Sequence, residues 1–528
     1  MSKIIEPAQI GSLIADGATL YCAGVGLAGF AEEVAVAIYD SFQRTAHPRD
    51  LTIYHACGLG NAKDKGIYHL CHDGLLKRIV GGHFGVGGPI LMKLIMDNQI
   101  EAYNLPQGVL VNLPREIAGG RPGFLTKVGL GTFVDPRVEG GKVNAKTTEE
   151  IVEVVDFAGE EWLFYKSPKV DVALIRGTRA DENGNITMEN EGMLIEALSI
   201  AQAARASGGV VIAQVQQVVK NGTMHPKDVR IPGILVDHIV IGRPENHMQT
   251  MGTYFNLAYT GDIKVPATSL EPLPLDERKI IARRAAMELS PGAIVNLGIG
   301  VPEGIAAVAA EEKVDHLMAL TLETGLIGGI PASGLDFGHA VNAEAMIDAG
   351  YQFDFYDGGG IDVAFLGLAQ TDRHGNVNVS KFSGRPMGCG GFINITQNAK
   401  EVVYCGAFMA GGLKIEAADG RLRIVQEGKS RKFLEEVEQI TFSGEYAAAH
   451  GQPVLYVTER AVFRLTKDGV ELIEVAPGID IERDVLAHME FAPIVRNVKL
   501  MDPGIFTAQW GGLATVVTAH PNAAHAHR

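Results

Sequence analysis

The chain has 528 residues, a formal net charge of −16, 46% hydrophobic residues and 20% charged ones. These proportions are ordinary for a folded protein, so a disordered chain is excluded and a sizeable core is expected. An acidic chain of this kind lacks the basic face that a phosphate backbone needs, which excludes nucleic acid as a partner.

At roughly 150 residues per domain, the length corresponds to three or four domain-sized units. Glycine is the unusual term: 64 residues, about 12%, against an average near 7%. No collagen-like period or low-complexity tract accounts for it, so the glycines are expected in turns and close backbone approaches. The five cysteines (Cys22, Cys57, Cys71, Cys389, Cys405) form no C-x-x-C pair. They read as free thiols in a reducing compartment. The N-terminus lacks the apolar region of a signal peptide, and no uncharged apolar run reaches about 18 residues. A cytoplasmic protein with no membrane partner is expected.

The first predicted element is the apolar run at residues 17–26, a strand ending in G-x-G. A helix should follow, because Phe30, Val34, Ile38 and Phe42 recur four apart on one stripe. Gly24-Val-Gly-Leu-Ala-Gly29 between them matches G-x-G-x-x-G, the pattern of a dinucleotide site. Such a site also needs an acid at the end of the next strand, about 20 residues on. The next strand, Leu51–His55, has Asp50 before it and Cys57-Gly-Leu-Gly after it. The acid is at the wrong end, and tight strand-to-helix packing is the favoured reading of the loop.

Residues 171–188 align without gaps on residues 362–379, sharing Asp-Val-Ala and a later Asp-x-x-Gly-Asn turn. Each copy reads as a buried strand, a polar turn and a short strand. Residues 292–300 likewise echo residues 17–26, with Pro302 opening the next helix. One α/β plan used twice is the expectation: two open, mostly parallel sheets with ligands beyond their strand ends. Three prolines between Val265 and Leu275 mark a linker, and Asp276 reads as the N-cap of a helix over Glu277–Leu289.

The run from His316 stays apolar until it delivers Glu323 at its C-terminal end, directly before the glycine-rich Gly325–Gly329. From position alone, that carboxylate suits a general base, a ribose ligand, a nucleophile or a loop cap. Further glycine clusters follow at 358–360, 388–391 and 411–412, and stripped backbone brings N–H groups close to a ligand. No H-E-x-x-H, C-x-x-C or phosphate-binding P-loop pattern occurs, so neither a metal nor nucleotide hydrolysis is indicated. His520, His525 and His527 read as a frayed terminus, and Lys429-Ser-Arg-Lys432 as a solvated basic face.

Leu322-Glu-Thr-Gly-Leu-Ile-Gly-Gly329, Gln352-Phe-Asp-Phe-Tyr-Asp-Gly-Gly-Gly-Ile-Asp362 and Gly388-Cys-Gly-Gly-Phe-Ile-Asn-Ile-Thr396 resemble family I coenzyme A transferases. So do Gly81-Gly-His-Phe84, Tyr103-Asn-Leu-Pro-Gln-Gly108 and Val475-Ala-Pro-Gly-Ile-Asp480. The closest match is the single-chain acetate/propionate branch, in which two subunit types are fused. The resemblance implies the CoA-transferase/NagB-like fold: two tandem related open α/β domains, with mostly parallel sheets. They would be residues 1–265 (α-subunit-like) and 276–528 (β-subunit-like), joined by 266–275. It implies that Glu323 is the nucleophile. Gln107 and the backbone N–H of Gly411 or Gly412 would form the oxyanion hole. Gly298, Gly300, Gly388, Gly390, Gly391 and Met409 would line the acyl-CoA site.

The implied activity is transfer of CoA between a short-chain acyl-CoA and a free acid of the acetate, propionate, butyrate or acetoacetate class, by a homo-oligomer. A glutamyl-CoA thioester is the implied intermediate, and CoA thioester is a substrate, so no cofactor is expected. Acyl-CoA hydrolysis by the same glutamate and a metabolite-binding module are the rival readings. Leu322, Met409 and Phe84 depart from the residues common in relatives, in ways that would reshape the acyl pocket.

Overall fold

The computed structural model describes residues 2–266 and 272–519. The middle of the expected linker, 267–271, and the three tail histidines lie outside the described residues. Two compact units emerge. The first comprises Met1–Lys264, Glu323–Asp354 and Gly384–Asn394; the second comprises Val265–Leu322, Phe355–Ser383 and Ile395–Arg528. The break after Lys264 adjoins the expected boundary, but the units are interleaved instead of sequential. Two segments of the second half, including the one that starts at Glu323, group with the first unit. Apolar patterning marks strands and helices well, but it does not say which compact unit a loop excursion joins.

In the first unit a seven-stranded sheet is built from Thr19–Cys22 (β1), Leu51–His55 (β2), Leu76–Gly81 (β3), Glu101–Asn104 (β4), Val172–Arg176 (β5), Val210–Val215 (β6) and His238–Ile241 (β7). Its order is β7-β6-β5-β1-β2-β3-β4, all parallel. Helices cover such a sheet on both faces, so its strands read as near-continuous apolar runs, as β5 does. Val34 and Ile38 of the helix Glu32–Thr45 (α1) pack with Leu20, Ile53, Leu174 and Ile212 in this core.

In the second unit the strands are Ala293–Leu297 (β8), Met318–Thr321 (β9), Val363–Gly367 (β10), Glu401–Cys405 (β11) and Val454–Val457 (β12). They run parallel in the order β9-β8-β10-β11-β12. That is the order β2-β1-β5-β6-β7 of the first unit, so the duplication expected from the sequence echoes is present in the topology. The second unit then adds Ala461–Thr466, Gly469–Val475 and Ile494–Leu500 beyond β12. The expected helix after Asp276 spans Glu277–Ala286, and the Asp276 side chain accepts from Lys279 N–H at 3.1 Å.

The echoed aspartates do the same work twice. Asp171 accepts from Thr19 N–H at 3.0 Å and Asp362 from Ile294 N–H at 2.8 Å, tying the start of β5 to β1 and of β10 to β8. In the polar turn, Asp181 accepts from the Asn183 and Asn185 backbone and the Asn185 amide. Asp372 accepts from the His374 and Asn376 backbone and the Asn376 amide. A short acid folds back on its own turn at both places, which is why Asp-x-x-Gly-Asn persists in both.

Candidate active site

Strand β9 ends at Thr321, and Glu323 opens an excursion within the first unit. The excursion folds back on itself: Leu326–Ile327 pairs antiparallel with Ala345–Met346, and Ile330–Pro331 with Ala340–Val341. Gly325 makes the narrow base possible. Its φ is +96°, and an added Cβ would lie 2.0 Å from the Ile347 carbonyl. Thr324 Oγ1 donates to Gly338 O at 2.7 Å, and Asp336 accepts from the hydroxyls of Thr250, Thr253 and Tyr259. Glu323 is therefore carried on a braced loop.

Glu323 is half-buried, and burial raises its carboxyl above the ordinary range, partly offset by its own backbone N–H. Burial raises the Cys57 thiol as well, and the carboxylates of Glu323 and Glu196 push it further. Both acids thus lie near Cys57, in the loop after β2. A thiol held neutral in this way is no competing nucleophile. Burial also holds His55 and His83 down to about 4, so both rings are neutral at pH 7.

Beside this loop, three glycine-bearing segments meet through backbone bonds. Gly390 N–H donates to Gly82 O at 2.7 Å, Phe84 N–H to Met387 O at 2.7 Å, and Gln107 N–H to Gly390 O at 2.9 Å. Asn104, at the end of β4, donates to Gly81 O and Gly82 O at 2.8 and 2.7 Å and accepts from Cys389 N–H at 3.0 Å. Gly388 has φ +97°, and an added Cβ would lie 2.6 Å from Gly82 O. Gln107 itself is 3% exposed at the first turn of the helix Gln107–Ala118 (α2). Gly108 N–H is held by Asn394 Oδ1 at 3.1 Å.

Glu323, Gln107, Gly388, Gly390 and Gly391 all belong to the first unit; Gly298, Gly300, Met409, Gly411 and Gly412 belong to the second. Gly298 is a packing residue: its N–H donates to Phe365 O at 2.8 Å, and a Cβ would strike Leu366. Gly300 has open space around it. Met409 lies in the short strand Met409–Ala410, paired with Ser430–Arg431. Gly411 O accepts from Lys429 N–H at 3.3 Å and Gly412 O from the Gln426 side chain at 2.6 Å. Lys429, Ser430 and Arg431 of the basic patch are exposed, as expected of a solvated face, whereas Lys432 is half-buried and its ammonium donates to Leu368 O at 2.9 Å.

The 24–29 loop is filled by its own backbone, with reciprocal Val25–Ala28 bonds at 2.9 Å and Gly26 N–H on Gly58 O at 2.8 Å. Close packing, the favoured reading of its glycines, accounts for them. Three participants were not singled out from the sequence. Asn104 stands inside Tyr103–Gly108 and Cys57 opens Cys57-Gly-Leu-Gly, but a single Asn or Cys there carries no chemical pattern of its own. Glu196 carries no local pattern at all.

A family model described as coenzyme A transferase matches residues 7–242. The chain is 51% identical over 524 residues to the caffeate CoA-transferase of Acetobacterium woodii, covering 98% of this chain and 100% of that one. It is 44% identical over 520 residues to the acetate CoA-transferase YdiF of Escherichia coli O157:H7, covering 98% and 97%. The crystal structure of the E. coli O157:H7 acyl-CoA transferase YdiF as a thioester complex with CoA superposes with a TM-score of 0.90 at 43% identity, over 97% of each chain. With identities this high over nearly the full length of both partners, and with the sheet order and loop structure described, this chain belongs to the coenzyme A transferases and is an enzyme of that class.

Proposed function

We propose that the enzyme moves CoA between an acyl-CoA and a free carboxylic acid by a ping-pong route through Glu323. The carboxylate attacks the thioester carbonyl, giving an acyl-glutamyl anhydride and CoA thiolate. The thiolate then attacks the glutamyl carbonyl, which forms the glutamyl-CoA thioester and releases the first acid. A second acid reverses the two steps, so bonds and charge balance without a cofactor. Gln107 and the amides of Gly411 and Gly412 keep the oxyanion-binding roles that the resemblance implies. One such donor is typically worth about 3–4 kcal/mol. Burial of Glu323 supports the reading, since water would hydrolyse either intermediate.

The observation that carries the proposal is Glu323 itself, a half-buried carboxylate on a braced loop with its pKa raised by burial. A carboxylate so desolvated is a better nucleophile than one in water. The test is incubation with acetyl-CoA alone, followed by mass spectrometry of the Glu323 peptide. A CoA adduct is expected; its absence, or full activity of Glu323→Ala, rejects the route. Release of CoA only when an acceptor acid is added separates transfer from hydrolysis.

Acetate, propionate, butyrate and acetoacetate are the proposed acids. The 51% identical caffeate relative favours a second reading, in which the acceptor is a hydroxycinnamic acid. Initial rates with one donor, over C2 to C6 acids and caffeate, decide between them. The five free cysteines support a cytoplasmic setting. A homo-oligomer is proposed on the resemblance, to be checked by light scattering.

A further inference from the structure

Glu196 immediately precedes the helix Ala197–Ala206 (α3) and is 2% exposed. Ser, Thr, Asp or Asn at this position caps the first N–H groups of a helix; the longer Glu196 side chain makes no such bond and is buried elsewhere. Its carboxyl takes the Gly24 amide and its own, and its Oε1 has no hydrogen-bond partner among the described residues. The preceding Ile195 has φ +50°, a left-handed conformation that a β-branched residue adopts only when its surroundings impose it. Strain and a missing bond at adjacent positions mark a carboxyl placed for something other than helix stability.

The groups facing it come from three elements. Tyr21 is on β1, Cys57 follows β2, and Asp348 ends the excursion that Glu323 begins. The Tyr21 hydroxyl is committed to Leu110 O, and the Cys57 thiol is neutral. Asp348 also meets Arg115, but that guanidinium is paired with Asp354. Asp348 stands between two bonds that close the excursion. Ile347 N–H donates to Gly325 O at 2.9 Å, and Ala349 N–H donates to Ile195 O at 3.1 Å. The Ile195–Ala349 bond joins the residues next to Glu196 and Asp348, so the two acids flank the seam where the nucleophile's loop returns, and each charge acts on the other.

We propose that Glu196, in its neutral form, is a positioning residue for the nucleophile: its proton allows Asp348 to seat opposite it and so closes the base of the loop that carries Glu323. Like carboxyls at close range do not both ionise without repulsion, and one of them keeps a proton. Burial, with Asp348 opposing it, pushes Glu196 up to about 8. At pH 7 the seam is closed, and above pH 8 two negative charges face each other across it.

This inference rests on Glu323 being the nucleophile, and the experiment separates the two. Exchange between acetyl-CoA and propionate is measured from pH 6.5 to 9.5, a range in which neither carboxylic acid titrates. For the native chain, kcat/KM should fall about tenfold per pH unit above 8. Glu196→Gln should keep activity within about threefold at pH 7 and lose the alkaline fall, because the amide is neutral throughout. Asp348→Asn should flatten the same limb, since an ionised Glu196 then faces no charge. An unchanged alkaline fall in both variants overturns the proposal. Hydrogen exchange of the native chain decides the case if neither variant folds. Protection of the amides at 324–349, corrected for intrinsic rate, should drop between pH 7 and 9.5, and constant protection overturns the idea. A missing Glu323 adduct at every pH rejects the nucleophile instead, and leaves the exchange result to decide on Glu196.

Discussion

Asn104 and Cys389 are 285 residues apart in sequence, and the Asn104 carboxamide oxygen accepts the Cys389 N–H at 3.0 Å. The same amide donates to the carbonyls of Gly81 and Gly82, so one side chain fixes two glycine loops against each other. Gln107 N–H then rests on Gly390 O, one residue beyond Cys389. Placement of the oxyanion-binding candidate thus depends on a residue that need not touch substrate.

Asn104→Ala removes three hydrogen bonds from a buried position. At about 1 kcal/mol each, the loss should approach 3 kcal/mol, read as a lowered thermal midpoint. Activity should fall more than stability alone accounts for, by about tenfold or more, because Gln107 loses its fixed support. Activity at a temperature where the variant is fully folded checks this.

Glu323→Gln keeps the shape of the side chain and removes the nucleophile. A loss of about 10⁴-fold or more in kcat is expected, with no CoA adduct on the peptide. Acyl-CoA binding should survive, and isothermal titration measures it.

Gln107→Ala should lower kcat by about 10²–10³-fold with a small change in KM, since the oxyanion exists only on the way through the reaction. The backbone bond from residue 107 to Gly390 O is retained in the variant. Steady-state kinetics with separate kcat and KM give the answer.

The acid limb of the rate profile should report Glu323. Burial raises its carboxyl, so activity should fall as pH drops through a value above the ordinary 4.5 of a glutamate. Rates of adduct formation from pH 4.5 to 7 locate that limb.

Stability should show the sign of Glu196. Its folded pKa, about 8, is above the ordinary 4.5, so the native state holds a proton that the unfolded chain releases. The contribution to stability is full below pH 4.5 and is lost as pH rises through 8. Glu196→Gln should therefore stabilise the protein relative to the native chain above pH 5, with the gain growing to about pH 8 and then levelling. Paired thermal melts from pH 5 to 9 test the direction.

Much of the fold was legible because it is local. Strand Leu51–His55, the Asp276 cap and the paired Asp-x-x-Gly-Asn turns are written in short patterns, and each is present. The repeat of Asp171 and Asp362 marked the duplication, and the shared sheet order was then found in the structure.

Glycine excess, the first oddity of the composition, has divided into distinct jobs. Gly298 serves packing, Gly325 closes a loop base, and Gly388 lets two backbones touch. The sequence by itself determined the family motifs, the duplicated α/β plan and Glu323 at the end of an apolar run, because all of these are patterns along the chain. Only the tertiary structure decided that the Glu323 excursion folds with the first unit, that Asn104 holds two distant loops, and that Ala349, next to Asp348, bonds Ile195, next to Glu196. Those facts depend on which surfaces meet after long loops close, and a hydrogen bond between residues 285 positions apart leaves no periodic trace in either segment.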